Sequence, residues 1–514
     1  MDILLSKIAD CIKNKNFLAA EEIGWTLYKQ NKENFTTIKI LALVLLLQGK
    51  NHGSLDLYSK AFNKNPDDND VVTNLAHLYL KVEEFQKSFD MAKKSIQQDP
   101  NNHAPYLTMS ELYVRKREFG TAYNYIQELL KRIDYNHLKD NSSICFFALD
   151  VFFAANKNDE VLKFVNYCYE KDFNPDIFYY HVGYDAKSIK KEIIDKAKEF
   201  MIKNSYDNLV EKGKALTPIL FGLANYYEKN KDEKLSEDYF IQGNELITEI
   251  QRYQPLKHQV SIKKIKKLFI NKLLPDLNSS PDGRLIFILG MPRSGTTLVE
   301  SIISSAKNTI SGGELRSMNE LFIARYEDGE DQLTVSDPGG VYLDRIKFIR
   351  SEGEYFIDKL PGNYHNIGFI KKIFPNAKII HVKRDPWDNA ISLYKQFYVS
   401  NIPFASSFFN IGVAYANYEE IMRFWKEDMK MDYFTVQYED LVKDPDTIGN
   451  KIFEYCEIPQ KYDPSERGRF FARTASKNQV TKDIYTKSVK KSSFDSQKIE
   501  FLNSLKNQRK YWEN

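Results

Sequence analysis

The 514-residue sequence contains only four cysteines, and no two of them stand in C-x-x-C spacing. Scattered cysteines in a long chain indicate neither a disulfide framework nor a zinc site. Long apolar runs are also missing. The most apolar run near the N-terminus spans residues 40–47, whereas a membrane-spanning helix needs about 20 such residues. The N-terminus carries charges throughout and has no apolar signal core. These absences predict a soluble, cytoplasmic protein with no transmembrane segment and no bound metal.

The sequence also has little net charge. Its 73 Lys and Arg residues oppose 70 Asp and Glu residues, for a net charge of +3, which gives no support for a nucleic-acid partner. Residues 467–514 are the exception, with twelve Lys or Arg against four Asp or Glu. Such a segment suits an anionic ligand, and a solvated basic face is an equally good interpretation.

The N-terminal part of the chain has a 34-residue period. The positions that recur at this spacing are Ala42, Ala76 and Ser110; Leu45, Tyr79 and Tyr113; and Leu55, Phe89 and Tyr123. Pro66 and Pro100 close two successive units. Small residues at contact positions, large residues between them and proline at the turn resemble the tetratricopeptide repeat, a helical hairpin of this period. The resemblance implies a stack of hairpins over residues 1–135. Hairpins phased by chance are the alternative.

Helical patterns continue over residues 136–277 without a clear period. They predict further hairpins, interpreted as degenerate repeats, with Gly222 and Ala224 as small contact residues. A basic amphipathic helix near residues 261–274 is predicted to cap the solenoid or to join it to the next domain, with contact to a membrane surface as the alternative. The turn-rich stretch 277–283 marks the boundary of a third domain, residues 278–514.

Short apolar segments alternate with helical patterns in this third domain. The candidate strands are Leu285–Leu289, Tyr355–Asp358, Lys378–Val382 and Tyr433–Gln437. The alternation predicts a P-loop-like, three-layer α/β domain with a parallel sheet and with ligands at the carboxyl ends of its strands. The fold class is therefore an all-α solenoid followed by an α/β domain.

The first candidate strand runs into a glycine-bearing loop and then a helix. Gly290 and Gly295 have the spacing of the nucleoside-triphosphate loop GxxxxGK[ST], but position 296 is Thr instead of Lys. A loop without that Lys lacks the group that reaches the β- and γ-phosphates. Backbone N–H groups and hydroxyls at a helix start still favour phosphate. The predicted binding residues are Pro292, Arg293, Ser294, Gly295, Thr296 and Thr297.

A second phosphate signal follows the third candidate strand. Arg384 stands where the strand ends, and Ser392 lies eight residues further on. The planar guanidinium of arginine offers two donors to a phosphate at once. A structural turn around Arg384 is the alternative, and the loop at residues 290–297 makes it the weaker one.

These motifs resemble those of sulfotransferases that use 3′-phosphoadenosine 5′-phosphosulfate (PAPS), above all the tyrosylprotein sulfotransferases. The two halves of the chain together resemble the tetratricopeptide-repeat sulfotransferase family. The resemblance implies that the 290–297 loop binds the 5′-phosphosulfate and that Arg384 and Ser392 bind the 3′-phosphate. It also implies that Arg293 and Lys359 neutralise charge on the leaving phosphate and that Glu314 is the catalytic base.

The same resemblance implies further nucleotide contacts from Tyr438 and from Ser476, Tyr485 and Ser488 near the C-terminus. A surface position for Glu314, a solubilising strand end for Lys359 and simple packing for Tyr438 are the alternatives. The tyrosylprotein enzymes carry an Arg where this chain has Gln396. One phosphate contact is therefore missing here or comes from elsewhere, such as the basic C-terminal segment.

The expected function is sulfuryl transfer to an acceptor hydroxyl, with a protein or peptide tyrosine favoured and the repeats helping to dock it. A carbohydrate or small-metabolite hydroxyl is the close alternative. A P-loop kinase or NTPase is disfavoured by Thr296, and an inactive scaffold by the presence of all the site residues. His381, in mid-strand, is interpreted as a core residue, and His365 as a weak candidate to approach the acceptor.

Overall fold

The computed structural model describes residues 2–272, 279–280, 282, 284–326, 337–351, 354–398, 402–469 and 494–513. The chain divides into two compact units. The first unit comprises Met1–Lys157 and Leu343–Ile349, and the second comprises Asn158–Tyr342 and Arg350–Asn514. Within the described ranges, no helix is both long and apolar enough to span a membrane.

Antiparallel helical hairpins form the first unit. Its helices are α1 (Asp2–Lys13), α2 (Phe17–Gln30), α3 (Phe35–Leu47), α4 (Asn51–Lys64), α5 (Asn69–Lys81), α6 (Phe85–Gln98), α7 (Ala104–Arg115), α8 (Phe119–Leu130), α9 (Tyr135–Asp140) and α10 (Ser142–Ala154). The second helices of the four hairpins, α2, α4, α6 and α8, begin at residues 17, 51, 85 and 119, so the 34-residue period is structural. The predicted repeat solenoid is confirmed.

One polar contact recurs inside three of these hairpins. Ser54 Oγ donates to the Ala42 carbonyl at 2.7 Å, and Ser88 Oγ donates to the Ala76 carbonyl at 2.7 Å. In the next hairpin the two residue types are exchanged, and Ser110 Oγ donates to the Ala122 carbonyl at 2.8 Å. Small side chains are needed at both positions because the two helices approach each other closely there. The recurring small residues in the sequence therefore mark the helix–helix contact.

The second unit contains both the sheet and the helices that precede it in the sequence. They are α11 (Asn158–Lys171), α12 (Pro175–Asp185), α13 (Lys191–Lys203), α14 (Leu209–Lys229), α15 (Glu233–Ile250) and α16 (Pro255–Ile270). Gly222 in α14 is a close-contact position as predicted, because a Cβ there would lie 2.6 Å from the Phe178 ring. In α16, Lys266 pairs with the buried Glu420 at 2.5 Å, so this basic helix packs against the sheet part of the unit.

Among the described residues, the sheet of the second unit has five strands in the order β2-β3-β1-β4-β5, and every neighbouring pair is parallel. The strands are β1 (Leu285–Gly290), β2 (Thr309–Gly313), β3 (Tyr355–Lys359), β4 (Lys378–Lys383) and β5 (Phe434–Gln437). The predicted parallel α/β fold is confirmed. The strand β2 has no counterpart among the candidate strands, because its sequence TISGG has two glycines and too few apolar residues to show a strand pattern.

Helices flank this sheet and complete the unit. They are α17 (Thr296–Ile303), α18 (Ser317–Tyr326), α19 (Pro338–Ile346), α20 (Ile367–Ile373), α21 (Pro386–Tyr394), α22 (Phe408–Arg423), α23 (Tyr438–Lys443), α24 (Pro445–Tyr455) and α25 (Asp495–Glu513). Residues 343–349, at and after the end of α19, belong to the first unit. The central strand β1 is fully buried, as its apolar sequence LIFILG requires.

Candidate active site

A candidate site residue or loop follows the carboxyl end of every strand. These are the 290–297 loop after β1, Glu314 after β2, Lys359 at the end of β3, Arg384 after β4 and Tyr438 after β5. Because the strands are parallel, all five ends lie at the same edge of the sheet. The ends of β3 and β4 are aligned with the end of β1, because Lys359 pairs with Ile288 and Val382 pairs with Gly290.

Two glycines shape the 290–297 loop. Gly290 and Gly295 have φ angles of 151° and 106°, in the range that other residues avoid. A Cβ at Gly290 would clash with the Val382 carbonyl, and one at Gly295 would clash with the Tyr438 ring. Arg293, between them, also has a positive φ of 69°. The loop is therefore held in a conformation that few sequences tolerate, as is common at functional sites.

The loop presents donors that suit an anion. The Ser294 hydroxyl is buried and has no hydrogen-bond partner among the described residues. Gly295 precedes α17 and has no side chain that could accept from the first-turn N–H groups. Thr296 and Thr297 are buried at the start of the same helix. A phosphate or phosphosulfate would satisfy such donors, so the residues present fit the predicted ligand group.

The two phosphate motifs meet in space. Arg293 Nε donates to Ser392 Oγ at 3.3 Å, and Arg384 Nη1 donates to the Arg293 carbonyl at 3.2 Å. The Arg384 guanidinium also stacks 4.7 Å from the centroid of the Tyr438 ring. Burial, aided by the Arg384 charge, lowers the pKa of Arg293, which stays charged because arginine starts far above neutral pH. Two buried guanidinium groups beside this loop have the charge and the donors that a doubly anionic ligand requires.

Lys359 lies between two carboxylates. Its Nζ is 2.5 Å from Glu314 Oε1 and 3.6 Å from Glu300 Oε2, and its side chain is fully buried. Burial alone would lower the pKa of Lys359, but Glu314 and Glu300 outweigh it and the pKa is raised. The Glu314 side chain is 41% exposed. It can therefore receive a proton from a molecule that arrives at the sheet edge.

Glu300 is a site residue that sequence reasoning missed. It is buried in the first turns of α17, and its Oε1 accepts a hydrogen bond from Ser311 Oγ at 2.5 Å. Its one sequence signal is an acidic residue inside the apolar stretch LVESII, since buried carboxylates need partners. Glu300 is thus a second carboxylate close to Lys359, with its Oε2 3.6 Å from Nζ.

The remaining candidates have varied positions. Ser476, Tyr485 and Ser488 lie outside the described residues. Gln396 Nε2 donates to Tyr179 Oη at 3.2 Å and to the Phe397 carbonyl at 3.0 Å. Both amide hydrogens of Gln396 are thereby used, so this side chain contacts α12 where the tyrosylprotein enzymes have an Arg.

His381 is buried, and His365 is partly buried. His381 bonds Thr435 Oγ1 at 3.2 Å and the Tyr418 hydroxyl, and burial lowers its pKa to about 3. His365 lies 3.3 Å from the Gly362 carbonyl, and burial lowers its pKa to about 3 as well. A histidine with such a pKa is a weak base at neutral pH, so Glu314 remains the better candidate for that role.

Parts of the chain are similar to known proteins. Residues 285–464 match the family model of the sulfotransferase family. This match lies within the C-terminal half of the chain. A protein-tyrosine sulfotransferase 1 of Danio rerio is 24% identical over 202 residues, 35% of this chain and 54% of the relative. An uncharacterized protein of Aquifex aeolicus is 31% identical over 297 residues, 53% of this chain and 39% of that protein.

The chain thus spans about half or less of the length of these two relatives. Among solved structures, the sulfotransferase domain of the Synechococcus PCC 7002 olefin synthase is 16% identical. It covers 45% of this chain and 96% of its own length, with a TM-score of 0.32.

Proposed function

We propose that this sulfotransferase-family chain transfers a sulfuryl group from PAPS to an acceptor hydroxyl, with a tyrosine of a polypeptide as the acceptor. The observation that supports the proposal is that the candidate binding and catalytic groups lie together at one edge of the sheet. The 290–297 loop, two buried arginines and an ion pair between the buried Lys359 and the partly exposed Glu314 follow neighbouring parallel strands. These are the groups that sulfuryl transfer needs: anion binding, charge neutralisation and a base.

Each group has a role in this proposal. Ser294 and the N-terminus of α17 bind the 5′-phosphosulfate, and Arg384 and Ser392 bind the 3′-phosphate, with the Tyr438 ring beneath the Arg384 guanidinium. When bound, PAPS supplies an activated sulfuryl group. Glu314 takes the proton of the acceptor hydroxyl. Arg293 and Lys359 stabilise the negative charge that develops on the leaving phosphate.

Three observations support a tyrosine as the acceptor. The half-exposed Glu314 carboxylate leaves room for a large acceptor, and helical repeats form extended surfaces that bind polypeptides. The 24% identity to a protein-tyrosine sulfotransferase over 202 residues points the same way. We therefore take a peptide tyrosine as the first acceptor to test.

The test is incubation of the full chain with sulfur-labelled PAPS and cell extract, followed by identification of the labelled species. Label on protein tyrosine is the expected result, and label on a carbohydrate or a small metabolite would overturn the acceptor. Binding of ATP without binding of adenosine 3′,5′-bisphosphate would overturn the reaction itself.

The variant Glu314→Gln tests whether Glu314 is the base of the proposed reaction. Turnover should fall about 10²- to 10⁴-fold when the base is lost, while adenosine 3′,5′-bisphosphate should bind as before. Glu457→Gln is the matched control, because Glu457 is an exposed acid paired with Lys378 at the amino end of β4. Unchanged turnover in Glu314→Gln would remove Glu314 from the mechanism.

A further inference from the structure

A buried tyrosine hydroxyl at the active site has no role so far. Tyr398 follows α21, six residues after Ser392. Its hydroxyl oxygen is buried and has no hydrogen-bond partner among the described residues. Leaving a buried hydroxyl unsatisfied costs about 1–3 kcal/mol. Such a group at a functional site indicates a partner that arrives with the ligand.

The chain just before Tyr398 is held in place by the helices of the second unit. The Phe397 ring packs edge-on against the Tyr179 ring, with centroids 5.2 Å apart, and lies 5.6 Å from the Phe221 ring. Gln396 donates to the Tyr179 hydroxyl at 3.2 Å. The segment that leads into Tyr398 is therefore fixed on α12 and α14, which limits the positions that its side chain can take.

Two charged residues of the site act on Tyr398. Burial raises the pKa of its phenol; the Arg293 charge opposes this, while Tyr179 and the Glu314 carboxylate add to it. The hydroxyl is therefore within electrostatic range of both Arg293 and Glu314. In the proposed reaction, Arg293 lies on the donor side and Glu314 on the acceptor side. The sulfuryl group passes between these two sides. Burial keeps the Tyr398 phenol protonated, so its hydroxyl can act as a hydrogen-bond donor.

We propose that Tyr398 donates a hydrogen bond to a sulfuryl oxygen during transfer, an inference that rests on the proposed function. The bond between sulfur and the leaving phosphate oxygen breaks as the bond between sulfur and the acceptor oxygen forms. The acceptor proton goes to Glu314, and Tyr398 keeps its own proton. A fixed neutral donor stabilises the charge on the sulfuryl oxygens without reorganisation.

The test compares Tyr398→Phe with the wild type in the full chain, using calorimetry with PAPS and with adenosine 3′,5′-bisphosphate. The two nucleotides differ by the sulfuryl group. We expect PAPS to bind about tenfold more weakly, the bisphosphate to bind within about twofold, and turnover to fall about 100-fold. The unfolding midpoint should stay the same or rise, because the variant removes an unsatisfied buried hydroxyl.

Tyr462→Phe is the matched control. Tyr462 is also a buried phenol whose hydroxyl has no partner among the described residues, and its ring packs on Phe453 in the apolar core. This variant should leave both affinities and turnover unchanged.

Three outcomes overturn the inference about Tyr398. Equal weakening of both nucleotides would assign Tyr398 to the nucleotide pocket, and a midpoint lowered by several degrees would assign it to the fold. Unchanged affinity and turnover would remove it from the reaction. In each of these cases the wild type still binds PAPS and transfers label. A wild type that binds neither nucleotide would instead overturn the proposed function, and this inference with it.

Discussion

The two units of this chain use their sequences in opposite ways. In the first unit, three hairpins repeat one contact, a serine hydroxyl bonded to an alanine carbonyl across a helix pair. In the second unit, each of five strand ends supplies a different group to one edge of the sheet. A repeated contact can be weakened in one hairpin while the others remain. In a site where each group occurs once, no other residue can replace a group that is lost.

The difference predicts how each unit responds to substitution. Loss of one repeated contact should lower the free energy of unfolding by a small step and leave the reaction unaffected. Loss of one group at the sheet edge should change the reaction greatly, whatever its effect on stability.

The largest effect is expected from Lys359→Met. The substitution leaves Glu300 and Glu314 without their cation, so the free energy of unfolding should fall by about 3–5 kcal/mol and turnover by about 10³-fold. Urea unfolding and the labelled-PAPS assay measure the two effects. Lys378→Met is the control, since the partner of Lys378, Glu457, is 73% exposed and such pairs contribute about 1 kcal/mol or less. If both lysine variants behave alike, the contrast between the two ends of the strands is wrong.

A smaller effect is expected from Arg384→Lys. The lysine keeps the charge but loses the planar fork and the stacking on Tyr438. The affinity for adenosine 3′,5′-bisphosphate should fall about 10- to 100-fold by calorimetry, with little change in stability. The exposed neighbour Lys383 serves for comparison, and Lys383→Ala should bind the nucleotide nearly as the wild type does. Wild-type affinity in Arg384→Lys would mean that the 3′-phosphate binds elsewhere.

The repeated contacts of the first unit predict small, equal effects. Ser54→Ala and Ser88→Ala each remove one buried hydrogen bond. Each should lower the free energy of unfolding by about 1 kcal/mol, and the double variant by about the sum, because the sites belong to different hairpins. Turnover should not change. Strongly unequal values in urea unfolding would show that the hairpins are not equivalent.

The smallest effect concerns pH. Burial lowers the pKa of His381 to about 3, so the folded state keeps this residue neutral while the unfolded chain protonates near its ordinary pKa of about 6.5. The neutral His381 therefore costs no stability above about pH 6.5, and the free energy of unfolding decreases as the pH falls below that value because the unfolded chain takes up a proton. Between pH 7 and pH 6 this decrease in the free energy of unfolding amounts to about 0.7 kcal/mol.

His381→Gln should therefore reduce the loss of stability between pH 7 and pH 6 by that amount in urea unfolding. His52→Gln, at an exposed position of α4, should leave the loss as it is in the wild type. An identical pH dependence in His381→Gln and the wild type would contradict the buried neutral histidine.

Local patterns predicted much of this structure. The 34-residue period is visible because every hairpin needs small residues at the same contact. The β1–loop–α17 segment is visible because its apolar run, glycines and hydroxyls are neighbours in the chain. The strand β2 was missed because TISGG has too few apolar residues for a strand pattern. Glu300 was missed because its partners Ser311 and Lys359 are distant in sequence.

The position of the helical region was also beyond sequence reasoning. Residues 158–270 belong to the same unit as the sheet, and Tyr179 in α12 bonds Gln396. From the sequence alone, Gln396 in place of the Arg of the tyrosylprotein enzymes indicates only that one phosphate contact is missing. The structure gives it a partner from a helix that precedes it by more than two hundred residues.

The sequence by itself determined which groups are proposed to bind the ligand, since Thr296 in place of Lys and the early Arg293 are properties of the chain. Only the tertiary structure decided which groups act together. Arg293 meets Arg384 and Ser392 because β1 and β4 are neighbours, and Lys359 lies between Glu300 and Glu314 because β3 lies between β1 and β2. Strand order is set by the packing of the whole sheet, and it determines the distances between residues that the chain keeps far apart.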